Sequence, residues 1–162
     1  MDNSQKYVIF TSGSEEYAVK IESVLSIEKN EAISPIPHLP DYMLGITNVR
    51  GDLLPVLDYE KILGQRTGNE MNHANILVLK TDNLILALRV KEAREILSLS
   101  DSSIKEMGLI AYSKANYITG IAQVENRLIT LVDPAKMANS LEGMKEVVTY
   151  IDKLKTETNA AL

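Results

Sequence analysis

No cysteine occurs among the 162 residues. Disulfides, thiolate nucleophiles, cysteine-ligated zinc and iron-sulfur clusters are therefore all excluded. Tryptophan is also absent and Phe10 is the single phenylalanine, so any core must be built from Ile, Leu and Val, which suit strands. His38 stands in a proline-rich stretch and His73 in a polar connection, with no His-Glu-x-x-His spacing, so neither a metal site nor another cofactor is expected. Long apolar runs are missing too. Leu84 to Leu88 is far short of a bilayer span, and Met1-Asp2-Asn3-Ser4 lacks the features of a signal peptide, which predicts a cytoplasmic chain without membrane insertion. Positive charge is in deficit, 17 Lys and Arg against 22 Asp and Glu for a net charge of −5, which opposes binding to nucleic acid. No Gly-rich phosphate loop and no Gly-x-Ser-x-Gly elbow are found, so nucleotide binding and serine hydrolysis lack support.

What is present is a soluble-protein balance, 45% hydrophobic and 24% charged, and an internal repeat. Tyr7-Val8-Ile9-Phe10-Thr11 with Tyr17-Ala18-Val19-Lys20-Ile21 aligns with Ile76-Leu77-Val78-Leu79-Lys80 with Leu86-Ala87-Leu88-Arg89-Val90, Phe10 falling on Leu79 at an offset of 69. Both stretches read as hairpins, turned by Gly13-Ser14 and Asp82-Asn83. Further on, Leu44 to Asp58 matches Thr119 to Asp133, Gly45 falling on Gly120 at an offset of 75. A duplicated β unit follows.

Each unit closes on an aspartate that opens a short helix, Asp58 before Tyr59 and Asp133 before Pro134. The carboxylate accepts from first-turn N–H groups, and Pro134 at the first helical position forfeits no bond. Met144, Val147, Val148, Ile151 and Leu154 recur at helical spacing and predict an amphipathic helix over 142–156, with a loose tail after Lys155. Pro35, Pro37 and Pro40 predict an extended loop from Ile33 to Pro40. The expected architecture is all-β: one domain of two repeat-related lobes, roughly 7–64 and 75–139, sharing an apolar seam because each alone is too small to bury much surface.

Asp58 and Asp133 invite comparison with the paired carboxylates of a duplicated aspartyl hydrolase. Helix capping explains both, and neither stands in an Asp-Thr-Gly setting. Arg50-Gly51-Asp52 reads as a hairpin turn in which Gly51 supplies backbone freedom and Asp52 an acceptor. Arg50 is either a solvated turn residue or an anchor in a binding groove, and since Glu125 holds its place in the second unit, its chemistry is no demand of the repeated fold. Gly45 and Gly120 agree between units and predict a bend or a close backbone approach. Ile21, Val24 and Ile27 are expected in the core, a reading that exposure would reverse.

The run Leu44-Gly45-Ile46-Thr47-Asn48-Val49-Arg50-Gly51-Asp52-Leu53-Leu54-Pro55-Val56-Leu57-Asp58 resembles the CheW family, whose pattern is Gly, apolar, Asn, Leu, Arg, Gly, an apolar run, Pro, Val and Asp. Tyr7 to Phe10, Glu15 to Val19 and Ile96 to Leu99 extend the resemblance over nearly the whole chain. It implies two five-stranded SH3-like β-barrels about a shared seam and a non-enzymatic adaptor of bacterial chemotaxis. Such an adaptor joins the cytoplasmic tips of chemoreceptors to the regulatory domain of the histidine kinase CheA and reaches membrane arrays through those partners. The receptor groove would map onto Val24, Gly45, Arg50, Asn75 and Ile96, and the kinase contact onto Ile36, Leu39 and Leu53. Family members often carry a glutamate where Ser26 stands, able to pair with the motif arginine; Glu28 could replace it only if the strand allows. Lys91 in place of aspartate and Val49 in place of leucine are further departures. A stand-alone module of another sensory pathway, or a relative of the CheV adaptor, fits the same pattern.

Overall fold

The computed structural model describes residues 4–29, 32–64, 74–82, 84–106 and 116–160; His73 and Asn83 lie outside them. The first unit forms β1 (Ser4–Ser12), β2 (Glu15–Lys20), β3 (Val24–Lys29), β4 (Met43–Val49), β5 (Asp52–Asp58) and the one-turn helix α1 (Tyr59–Ile62). The second forms β6 (Asn75–Lys80), β7 (Ile85–Val90), β8 (Glu92–Ser100), β9 (Ile104–Glu106), β10 (Ile118–Val124), β11 (Arg127–Val132) and α2 (Pro134–Ser140). Helix α3 (Met144–Ala160) follows and runs through the stretch after Lys155 that the sequence left loose.

The units do not build one sheet each. One sheet has the order β8-β1-β2-β11-β10-β9 and the other β3-β6-β7-β5-β4. Each unit thus lends its first hairpin to the other's sheet, and the seams are the parallel pairings of β11 with β2 and of β5 with β7. The contiguous lobes 7–64 and 75–139 are corrected accordingly: the sheets cut across those boundaries. The strand count is corrected as well, since the first sheet has six strands. In the five-stranded sheet the place of β9 is taken by a lone bridge, Ser34 to Ile46, whose backbone bonds are 2.8 and 3.0 Å. Apart from that bridge the proline-bearing stretch is a loop, as its missing donors require.

Three apolar clusters explain the continuous hydrophobic runs. Odd positions of β1, Tyr7 and Ile9, pack inside the six-stranded sheet with Ala18, Leu99, Ile129 and Leu131. Even positions, Val8 and Phe10, enter a seam shared with Leu77, Leu79, Leu86 and Leu88 of the other sheet. Residues Ile76 and Val78, alternating with the seam leucines of β6, fill the five-stranded sheet beside Leu54, Val56 and Ala87. Strands buried on both faces lose polar alternation. Helices α2 and α3 cover the seam with Met137, Ala138, Met144, Val147 and Ile151; each large apolar side chain of this kind contributes about 1.5–3 kcal/mol on full burial.

Local signals are realised closely. Asp58 accepts from the Glu60 N–H at 3.0 Å and Asp133 from the Lys136 N–H at 3.1 Å. Their own N–H groups donate to the repeat-related carbonyls of Tyr42 and Tyr117, each at 2.8 Å. Arg50 and Glu125, at the same point of the two tight hairpins, both take positive φ, 52° and 56°. The Gly51 N–H donates to Asn48 Oδ1 at 2.9 Å, so Asn48 supplies the turn acceptor expected of Asp52.

At the seam's centre Tyr59 meets Phe10 and Tyr17 edge-on, with ring centroids 5.2 and 4.9 Å away. Tyr59 is fully buried, and its hydroxyl has no hydrogen-bond partner among the described residues. Burial, with lesser contributions from Tyr117 and Tyr17, pushes its phenol well above the ordinary value. A phenol whose folded pKa exceeds its unfolded one leaves stability intact below the unfolded value, about 10, and lost as pH climbs beyond it. Tyr59→Phe is therefore expected to raise stability by about 1–3 kcal/mol at neutral pH, by deleting an unsatisfied buried hydroxyl. It should also flatten the alkaline decline by up to about 1.4 kcal/mol per pH unit, read from urea midpoints between roughly pH 8 and 11.

Candidate functional site

Cross-strand partners share a face, so the register tells which residues border the seam. Ile27 lies opposite Leu77 and Ile96 opposite Val8, and both of those partners are seam residues. Ile27 and Ile96 are repeat equivalents at an offset of 69, and each sits on the outermost strand of its sheet. With no further strand among the described residues to cover them they are 45% and 52% exposed. Leu25, beside them on β3, is 51% exposed, and Ile21 just before it is 37% exposed. The expectation that Ile21 and Ile27 belong to the core is corrected: an edge strand leaves its flank open. Alternation marked these residues as half-buried at most, and that signal was available in Leu25-Ser26-Ile27-Glu28-Lys29.

Val24 joins the same side. A register shift between Val24 and Ser26 turns Val24 toward the seam, opposite Leu79, where it is half-buried against the apolar cluster. Asn75 lies opposite Lys29 and Val90, and its Oδ1 accepts from the Ala93 N–H at 2.9 Å, fastening the start of β8 to β6. Three of the five residues expected in the groove, Val24, Asn75 and Ile96, therefore border the seam, and Ile27, which was not expected there, borders it too.

Gly45 does not. It is buried opposite Val56, inside the five-stranded sheet, at a second register shift. A Cβ there would stand 2.1 Å from the Ser34 carbonyl oxygen. Its place is the close backbone approach that the repeat predicted, and it lines no surface. Gly120 occupies the related shift in β10, where a Cβ would stand 2.9 Å from the Lys105 oxygen.

Arg50 projects from the β4–β5 turn with its side chain 76% exposed, and its Nη2 lies 3.2 Å from Glu28 Oε1. Ser26 and Glu28 share the inner face of β3, so the strand does allow the later glutamate to reach the arginine. Since β3 and β4 end opposite flanks of the strand order, this contact requires the sheet to curl toward closure. The six-stranded sheet curls likewise, its edges β8 and β9 being separated by one short turn, Asp101–Ser103. Its open end is bound by Arg127, which donates to Glu16 at 3.0 and 2.7 Å and also to Glu95.

The three residues that the resemblance assigns to a kinase contact divide. Leu53 lines a small cleft of 300 Å³ with Ser34, Ile46 and Thr47. Leu39 lines a different one of 710 Å³ with Tyr42, Ile62, Tyr117 and Leu141. Ile36 is half-buried in the loop between them. That loop is anchored at its far end, where the Tyr42 hydroxyl donates to the Glu142 carbonyl at 2.8 Å and Gly143 leaves only 3.0 Å between a would-be Cβ and Pro40. Lys91 donates to the Gly13 carbonyl at 3.4 Å, and Val49 is buried in the inner core, so these two departures sit in the scaffold.

Asp58 and Asp133 close strands of different sheets, and each caps its own helix. Asp58 is fully buried against Arg89, 3.2 Å away, and this carboxylate is a structural counter-ion. No helix among the described residues is long and apolar enough to cross a membrane.

Comparison with known proteins agrees with this geometry. Residues 6–142 match the CheW-like domain family. Chemotaxis protein CheW of Klebsiella aerogenes is 30% identical over 139 residues, 85% of this chain and 84% of that protein. Its counterpart in Rhizobium meliloti is 29% identical over 133 residues, 82% of this chain and 86% of that one. The crystal structure of the scaffolding protein TtCheW from Thermoanaerobacter tengcongensis superposes with a TM-score of 0.77 at 23% identity, covering 86% of this chain and 95% of its own, and shares the fold. With its duplicated β units, seam and Arg50 turn, the chain belongs to the CheW-like domain family.

Proposed function

We propose that the protein is a non-catalytic adaptor that joins the cytoplasmic tips of chemoreceptors to the regulatory domain of the kinase CheA. The observation that carries this reading is the exposed apolar flank of the seam, Leu25, Ile27 and Ile96, beside the ion-paired Arg50. A receptor helix laid along this flank would bury those side chains, and Arg50 would fix its direction through a charge-assisted bond. Val24 and Asn75 border the same groove. Ile36, Leu39 and Leu53 would meet the kinase at one end of the five-stranded barrel. The protein would then act in the cytoplasm, drawn to membrane arrays by its partners, with phosphoryl transfer left to the kinase.

The test is capture of a receptor-tip fragment and of the kinase regulatory domain by wild type and by Arg50→Glu. Wild type should bind both. Arg50→Glu should weaken receptor binding about tenfold or more, the cost of reversing a charge at an interface, and leave kinase binding intact. Binding of neither partner by wild type would sink the adaptor reading.

A further inference from the structure

The two curled sheets differ at a point where the repeat makes them alike. In the five-stranded sheet β5 and β7 run side by side to Asp58 and Arg89, whose side chains lie 3.2 Å apart and are 0% and 15% exposed. This buried ion pair fills that end of the sheet. The offsets of 75 and 69 carry Asp58 onto Asp133 and Arg89 onto Lys20. The parallel register of β11 with β2, in which Leu131 stands opposite Ala18, continues so as to set Asp133 beside Lys20. Among the described residues no ion pair joins these two. Lys20 is exposed, and at this place the six-stranded sheet has an open cleft of 470 Å³.

The difference follows from the two cations. An ammonium holds its water more tightly than a guanidinium does and lacks the planar fork that matches a carboxylate in a dry site. Lys20 therefore stays in solvent, and Asp133 keeps a half-buried carboxylate of which the Lys136 N–H engages one oxygen. The cleft has an apolar wall at Ile104 and Leu131 and a second carboxylate, Asp101. Tyr7 lines it too. That residue is only 6% exposed, and its hydroxyl has no hydrogen-bond partner among the described residues. Burial first, then Asp101 and Glu22, hold the phenol above its ordinary value, so at neutral pH it is a hydroxyl able to accept as well as donate. The surroundings are thus acidic, apolar and short of one cation.

We propose that this cleft is a binding site for a small guanidinium compound, with Asp133 and Asp101 as its counter-ions and the Tyr7 hydroxyl as an acceptor. The ligand would supply from outside the group that Arg89 supplies to the other sheet from within. Its volume falls in the range of small-molecule sites, about 300–1,000 Å³.

The experiment titrates agmatine, a butylamine with a terminal guanidinium, into the full-length chain at fixed ionic strength, followed by calorimetry and by the amide resonances of Thr119 and Asp133. Saturable binding is expected, weakened about tenfold by Asp133→Asn, which keeps the helix cap, and about threefold by Tyr7→Phe. Cadaverine, a diamine of similar length, should bind at least about fivefold more weakly, since its ammonium lacks the fork. Lys20→Arg imports the residue of the first sheet and should abolish agmatine binding by filling the cleft from within, whereas Lys20→Ala should leave binding at least as strong. Melting temperatures show that each variant is folded. Absence of saturable binding by wild type overturns the proposal. So does agmatine affinity unchanged by Asp133→Asn or by Lys20→Arg, or equal affinity for cadaverine. Tighter binding of a capped Gly-Arg-Gly tripeptide than of agmatine would overturn the small-molecule assignment in favour of an arginine side chain of a partner.

Discussion

Asp58→Ala is expected to cost about 3–5 kcal/mol, because it strands a buried arginine. The Asp58 side chain has no solvent exposure, accepts from the Glu60 N–H and lies 3.2 Å from Arg89 Nη2. Arg89 is 15% exposed, and its Nε has no hydrogen-bond partner among the described residues. Taking away the carboxylate leaves a guanidinium in a low-dielectric site. The pair also spans the two units, since Asp58 ends β5 of the first and Arg89 lies on β7 of the second, in parallel register. Its loss therefore loosens the exchanged hairpin as well as the cap. A second substitution, Arg89→Met in the Asp58→Ala background, should recover most of the stability, because an apolar side chain of similar volume needs no counter-ion. Asp133→Ala is the control. It removes a cap from α2 at a half-buried site and should cost only about 1 kcal/mol. Urea midpoints with their slopes decide the matter; equal losses at Asp58 and Asp133 would show that the Arg89 contact contributes nothing.

Gly45→Ala should be nearly as damaging, at about 3 kcal/mol, from backbone strain together with the loss of two backbone hydrogen bonds. Gly45 has φ of 147°, and a Cβ there meets Ser34 O at 2.1 Å, Ser34 C at 2.8 Å and Pro35 Cα at 2.9 Å. All three are backbone atoms of a proline-stiffened loop, so nothing flexible can yield. The Ser34–Ile46 bridge must open. Gly120→Ala is milder, about 1–2 kcal/mol, because there the added methyl presses on one carbonyl oxygen at 2.9 Å and on the movable Ile104 side chain at 3.2 Å. Amide exchange at Ile46 gives the local reading: its protection should collapse in Gly45→Ala and persist in Gly120→Ala. An unchanged Ile46 amide would refute the account of this bulge.

The candidate site was legible in the sequence to the extent that its residues carry local signals. The Asn48 to Asp52 turn, the caps at Asp58 and Asp133 and the paired glycines depend on a residue's own backbone preferences, and each lies where those preferences put it. Val24, Asn75 and Ile96 border the seam, whereas Gly45 turns inward, because a register shift within an edge strand moves a residue from one face to the other. Ile27 reads as core from its chemistry and is exposed because β3 has no neighbouring strand among the described residues on its free flank.

The sequence by itself determined the duplication, the two hairpins, the helix starts and the absence of any thiol chemistry, because repeats, turn residues, caps and composition are properties of neighbouring residues. Tertiary structure alone decided that the units exchange their first hairpins and that Glu28, rather than a residue at position 26, meets Arg50. A strand buried on both faces, such as β1 or β6, presents apolar residues at every position and so carries no periodic mark of which partner it will pair with. That choice is made by hydrogen-bond ladders and a seam assembled from residues far apart in the chain.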